Sequence, residues 1–129
     1  MADASYPDDL LYHPEHDWAR IDGDGLATFG ITWFAQDALG EVVFIDPPKV
    51  GTTIAAGEAY AEVESVKAVS DVVAPMSGEV VAVNAALGDG PEAINDDPYG
   101  DGWLVQVRLS DPSERDGLLD VAAYTALLD

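Results

Sequence analysis

A seven-residue unit occurs twice in this chain: GEVVFID at Gly40–Asp46 and GEVVAVN at Gly78–Asn84. Each copy opens with Gly-Glu-Val-Val and runs into a polar turn with a Gly a few residues on. Two alike strand units of this kind predict a quasi-symmetric β-sandwich. The rest of the chain agrees. Trp18–Ile21 reads as a strand closing an extended segment, DGDG (22–25) as a turn, and LATFGI (26–31) as the returning strand. TWFAQDALG (32–40) reads as a short helix with Thr32 as N-cap and Gly40 as its stop. Further strands are predicted at 41–46, 58–65, 68–74, 79–84 and 103–109. Residues 85–102 are too polar and too rich in Gly and Pro to predict regular structure. Residues 111–129 predict one or two C-terminal helices, with Pro112 at the first helical position and Asp111 and Glu114 as a capping pair. The expected fold is mostly β, a small sandwich with one internal helix and a helical C-terminal segment, and residues 1–129 form one domain.

Composition narrows what such a fold can do. The 129 residues carry a formal charge of −20, with 25 acidic against five basic side chains, so nucleic acid and anionic membranes are poor partners. No apolar run is long enough to span a bilayer. The N-terminal stretch has no basic start, no apolar signal core and no Arg-rich amphipathic pattern, which predicts a cytoplasmic protein without a targeting segment. There is no Cys, which removes disulfides, thiolate metal sites and Cys nucleophiles. Any sulfur chemistry needs a cofactor.

Catalytic patterns are weak. His13, His16 and Asp17 form a sparse metal or acid–base set, but no G-x-S-x-G elbow, phosphate-cradling loop or EF-hand spacing accompanies them. Lys67 is more telling. It is one of two lysines, and it falls where a tight turn must join two strands. Its neighbours Val66 and Ala68 are apolar, whereas hairpin tips are usually polar. A lone Lys on a rigid tip can be reached by a modifying enzyme and can then swing a group attached to its amine. That is the design of a carrier domain, in which the fold presents the tip and the attached cofactor does the chemistry. Lys49 is assigned no function.

The stretch VESVKAVSD (63–71) resembles the lipoylation site of glycine cleavage H proteins. The resemblance runs through HDW (16–18), ATFGIT (27–32), AQDALGEVVFIDPPKVG (35–51), SGEVVAVN (77–84), INDDPYGDGWLVQVRLSDPSE (94–114) and AYTALL (123–128). Lipoyl domains of 2-oxo acid dehydrogenases are shorter and usually show DKA at the modified Lys, and biotin carriers flank it with Met. The resemblance implies a lipoyl-type barrel-sandwich hybrid with no catalysis of its own. Lys67 would bear lipoate through an amide bond. The arm would take an aminomethyl group from a pyridoxal-phosphate glycine decarboxylase and present it to a folate-dependent aminomethyltransferase. A flavin-dependent dihydrolipoamide dehydrogenase would then reoxidise it.

The loaded arm gains by folding into a cleft, and His16, Asp17 and Asp71 are its candidate lining. The family usually has Glu where Asp17 stands, so a contact from Asp17 needs a closer strand. Glu64, Ser65, Val66 and Ala68 are the expected recognition residues for the lipoate-attaching enzyme, with Ser65 also suited to supporting the turn. Trp33 and Phe34 depart from the family pattern, and one ring is expected inside and one outside. A monomer is expected, since the arm must visit several enzymes. Two other readings stand beside this one: an H-like relay that donates lipoyl groups to other enzymes, and a small acidic metal-binding or hydrolytic domain built on His13, His16 and Asp17.

Overall fold

The structure is a computed structural model that describes residues 6–22 and 24–128. Residues 1–5 at the N-terminus, Gly23 within the predicted 22–25 turn, and Asp129 at the end of the predicted helical segment lie outside the described residues. The strands are β1 (Leu11–His13), β2 (Asp17–Ile21), β3 (Leu26–Ile31), β4 (Val42–Asp46), β5 (Thr53–Ile54), β6 (Ala59–Ser65), β7 (Val69–Val73), β8 (Gly78–Val83) and β9 (Val105–Leu109). The helices are α1 (Trp33–Leu39), α2 (Ala93–Asp96) and α3 (Val121–Leu128). One antiparallel sheet runs β1-β2-β3-β9-β8-β5 and the other runs β4-β6-β7. The two sequence repeats therefore fall in different sheets: one contributes β4 and the other β8.

Alternation along the strands builds the core between the sheets. In β6 the buried Val63 is flanked by exposed Glu62 and Glu64, and in β9 Val105, Val107 and Leu109 point inward while Gln106 and Arg108 point out. Phe29, Ile45, Val63, Met76, Val80 and Val105 belong to this core. A second apolar cluster holds Leu10, Tyr12, Trp18, Tyr99 and Tyr124. Trp18 pairs with Gly30 across β2 and β3, and a Cβ on Gly30 would lie 2.6 Å from the Trp18 ring, so that position admits only glycine. Tyr124 of α3 stacks on Tyr12 at 4.7 Å, which ties the C-terminal helix to β1.

The short α1 helix begins as predicted. Thr32 is extended and its hydroxyl accepts from the Ala35 N–H, and Gly40 closes the helix at φ +82. Two expectations need correction. Residues 85–102 are not irregular throughout: they contain a 3-10 turn at Ala85–Gly88 and the α2 turn. Asn84 caps the first, and Leu87 and Ile94 bury into the core, so two well-spaced apolar side chains order a segment that reads as polar. The reciprocal Asp111–Glu114 cap does not form either. Asp111 accepts from the Ser113 N–H, while the Glu114 carboxylate accepts from the Ser77 N–H at 2.7 Å and its hydroxyl at 3.0 Å, pinning the 112–117 3-10 segment to the start of β8.

Candidate functional site

The β6–β7 turn is held without glycine. Non-glycine positive φ occurs only at His16 among the described residues, so Val66 and Lys67 do not adopt the left-handed geometry of the usual two-residue hairpin turns. Ser65 solves the problem. Its backbone N–H donates to the Ala68 carbonyl at 2.8 Å, and its hydroxyl oxygen accepts from the N–H groups of Lys67 (3.3 Å) and Ala68 (3.1 Å). The Val66 N–H donates to the Glu41 carbonyl at 3.1 Å, which fastens the tip to the strand beside it. With the N–H groups of residues 65–68 all paired, the tip shows its side chains: Val66, Lys67, Ala68 and Val69 are all exposed. Glu64 is exposed as well, whereas Ser65 is buried at 5 %.

Lys67 leans on the C-terminal end of α1. Its Cε lies 3.4 Å from where a Gly40 Cβ would be, so the lysine stem runs at van der Waals distance past Gly40. Gly40 is in turn fixed by Asn95, whose amide donates to the Gly40 carbonyl (2.8 Å) and to Gln36 Oε1 (3.0 Å), and whose Oδ1 accepts from the Val42 N–H (2.8 Å).

Beside the hairpin is a cleft of about 320 Å³ between α1, the start of β2 and the edge strand β7. Ile31, Ala35, Leu39, Val63 and Val72 supply apolar wall. His16, Asp17 and Asp71 are brought together there, with Phe34 and Ala68. Asp17 is 1 % exposed and its Oδ2 has no hydrogen-bond partner. Burial first, and the nearby Glu15 charge second, raise its pKa well above the ordinary carboxylate range. The Tyr60 hydroxyl is also buried without a partner, and burial followed by the Asp17 charge pushes it upward. His16 adopts φ +73, and its Nδ1 is 2.8 Å from the Tyr124 hydroxyl, which also meets the Thr32 hydroxyl at 2.8 Å. Desolvation lowers the His16 pKa, partly offset by Glu15. Phe34 packs on the His16 ring at 4.4 Å and is 37 % exposed, while Trp33 is half-buried against the second cluster. Neither ring is fully inside, where one in and one out was expected: Trp33 is half-buried and Phe34 exposed.

His13 stands apart from this group. Its Nδ1 accepts from the Glu15 N–H, and it does not line the cleft. Among the described residues no group of three His, Asp or Glu side chains is placed to hold a metal ion. Sequence reasoning missed Tyr60 and Tyr124. Tyr60 shares the parity of the exposed Glu62 and Glu64 and is buried where the β6 register shifts between Ala59 and Ala61, so alternation gives no sign of it as a neighbour of Asp17. Tyr124 reaches His16 from 108 residues away, a proximity with no local signal.

The residues fit a covalently attached, flexible cofactor. The amine is exposed on a rigid tip, and an apolar cleft with an unpartnered buried carboxylate adjoins it. A two-sheet fold built around such a tip defines a carrier protein of the lipoyl-domain class. Comparison with known proteins is specific. The Glycine cleavage H-protein family matches residues 10–129. The Glycine cleavage system H protein of Halorhodospira halophila is 57% identical over 122 residues, covering 95% of this chain and 94% of that one. Its counterpart in Enterobacter sp. strain 638 is 53% identical over 126 residues, with 98% of each chain covered. A crystal structure of a glycine cleavage system H protein from Mycobacterium marinum superposes with a TM-score of 0.84 at 43% identity, covering 94% of this chain and 97% of that one. This chain belongs to the glycine cleavage H-protein family, whose members are lipoate carriers rather than catalysts.

Proposed function

We propose that Lys67 is the lipoate attachment site and that residues 1–129 act as one carrier domain in glycine cleavage. The observation that carries this reading is the Lys67 tip itself, exposed, glycine-free and held by Ser65 beside a cleft. When bound, the dithiolane supplies the two sulfurs that receive and release the aminomethyl group. The chain's own residues present and shelter it. Glu64, Val66 and Ala68 are exposed next to the amine and serve as the recognition surface for the lipoate-attaching enzyme. Ser65 is buried and contributes by fixing the turn.

Ile31, Ala35 and Val72 would shelter the loaded arm in the cleft. The unpartnered Asp17 Oδ2 would take its cationic amine, with His16 and Asp71 at the sides. A cation arriving there favours the ionised carboxylate and relieves an unsatisfied buried acceptor. The partners on this reading are the pyridoxal-phosphate glycine decarboxylase, the folate-dependent aminomethyltransferase and the flavin-dependent dihydrolipoamide dehydrogenase. The protein works as a monomer in the cytoplasm. No helix among the described residues is long and apolar enough to cross a membrane.

The test is intact mass after incubation with a lipoate–protein ligase, lipoate and ATP, for wild type and Lys67→Ala. One lipoyl increment on the wild type and none on the variant is the expected outcome. An increment that survives the substitution moves the attachment site elsewhere and overturns the reading.

A further inference from the structure

Two side-chain oxygens are buried without a hydrogen-bond partner among the described residues: Asp17 Oδ2 and the Tyr60 hydroxyl. The cleft gives the first a use and leaves the second unexplained. Tyr60 is buried because of an irregularity in its strand. Parity places it with the exposed Glu62 and Glu64, but the β6–β7 register shifts between Ala59 and Ala61, and Tyr60 has no partner on β7 there. A bulge of this kind re-aims a side chain. The re-aimed ring meets Phe29 of β3 edge-on, with centroids 6.3 Å apart, so Tyr60 crosses the sandwich to the inner face of the other sheet. Asp17 stands on that face, paired with Ile31 of β3, and the neighbouring pair on the same face is Ala19 with Phe29. The row that Tyr60 packs against is thus next to the Asp17 row, and the Asp17 charge acts on the Tyr60 hydroxyl.

The other polar groups around Asp17 are acceptors or already engaged. β1 sets His13 opposite it, with Nδ1 bonded to the Glu15 N–H. Glu15, His16 and Asp71 line the cleft, while α1, β3 and β6 give it only apolar side chains. The Tyr124 hydroxyl of α3 is engaged by His16 and Thr32. Tyr60 is the uncommitted buried donor, and burial keeps its proton in place. We propose that Tyr60 is a positioning residue, whose hydroxyl donates to the Asp17 carboxylate from the interior side and holds it toward the cationic amine of the loaded arm. This rests on Asp17 as the partner of that amine. A carboxylate has lone pairs for several donors, so Tyr60 and the amine share it without competing. The contact closes when the carboxyl ionises, because a donor strengthens on an anionic acceptor. Tyr60 lies outside the cleft wall and acts through Asp17. An unpaired buried hydroxyl is costly, and this role is what the bulge at Ala59–Ala61 secures.

The test compares wild type, Tyr60→Phe, Asp17→Asn and the double variant as full chains. Phe keeps the ring against Phe29 and removes only the hydroxyl. In the unmodified chain the Asp17 carboxyl is titrated by NMR of its labelled carboxyl carbon. Its midpoint in Tyr60→Phe lies about one pH unit higher than in wild type, because the ionised form has lost a donor. An unchanged or lower midpoint overturns the inference. In the lipoylated chain carrying the aminomethyl group, loss of that group is followed by intact mass. Loss is about tenfold faster in Tyr60→Phe than in wild type, and the substitution adds nothing in the Asp17→Asn background. Equal acceleration in both backgrounds means that Tyr60 acts without Asp17, and overturns the inference. An Asp17→Asn chain that keeps its aminomethyl group as long as wild type fails the Asp17 reading instead. The two failures are distinguished because the titration needs neither lipoate nor the amine.

Discussion

Asp17 shows how one side chain links stability to use. Its carboxyl is buried and one oxygen is unpartnered, and its pKa is raised by desolvation and by Glu15. A carboxyl with a raised folded pKa holds its proton more tightly in the folded chain than in the unfolded one. Its contribution is therefore fully present below the ordinary value of 3.8 and is lost as pH rises through the raised folded value. Asn does not titrate, so Asp17→Asn is expected to gain stability relative to wild type as pH rises, because only the carboxyl suffers the pH-dependent loss. Urea unfolding at acidic and neutral pH checks this: the gap must widen as pH rises. A constant gap would mean that Asp17 does not titrate between the two states. On the proposed function the same substitution removes the anionic partner of the loaded arm, so stability is gained where sheltering is lost.

At the scale of elements, α1, α2 and β4 are held together by Asn95. It bonds Gln36 and Gly40 at the C-terminal end of α1 and the Val42 N–H at the start of β4. These contacts set the position of Gly40, against which the Lys67 stem lies. Asn95→Ala removes three hydrogen bonds and leaves the Val42 N–H without its acceptor, so a loss of about 2–4 kcal/mol is expected in denaturant unfolding. The same variant should exchange the Val66 amide faster in hydrogen-exchange measurements, because Glu41, which accepts from it, adjoins the loosened junction. The β6–β7 hairpin is held by its own serine and, through the Val66 N–H, by the Glu41 carbonyl beside that junction.

The whole molecule carries a formal charge of −20 on 129 residues, and its carboxylates repel one another most when screening is weak. Raising salt from about 0.01 M to about 1 M shortens the Debye length from about 30 Å to about 3 Å. The melting temperature should rise by about 5 °C over that range, as about 1 kcal/mol of repulsion is relieved. A melting temperature independent of salt would mean that the acidic groups are paired or too widely spaced to interact. Asp46, Glu62 and Asp71 stand opposite one another across β4, β6 and β7, so the rise should be smaller in an Asp46→Asn/Glu62→Gln variant.

The amino-acid pattern by itself determined most of the strands, because period-two alternation around Val63 and around Val107 reports burial locally, while the short β1 and β5 carry no such signal. It likewise determined α1, whose Thr32 cap and Gly40 stop are short-range signals, and it marked Lys67 by scarcity and apolar neighbours. What ordered residues 85–102 was not legible there, since Leu87 and Ile94 count as anchors only once a core exists to receive them. The redirected Glu114 was hidden for the same reason: Ser77 is near it only in space. The cleft is wholly a product of tertiary structure. Asp17 becomes a desolvated acceptor because β7 and α1 close over it, and His16 finds Tyr124 because α3 returns to β1. A residue's type and neighbours in sequence fix its local conformation, but its solvation and its partners depend on which distant elements cover it.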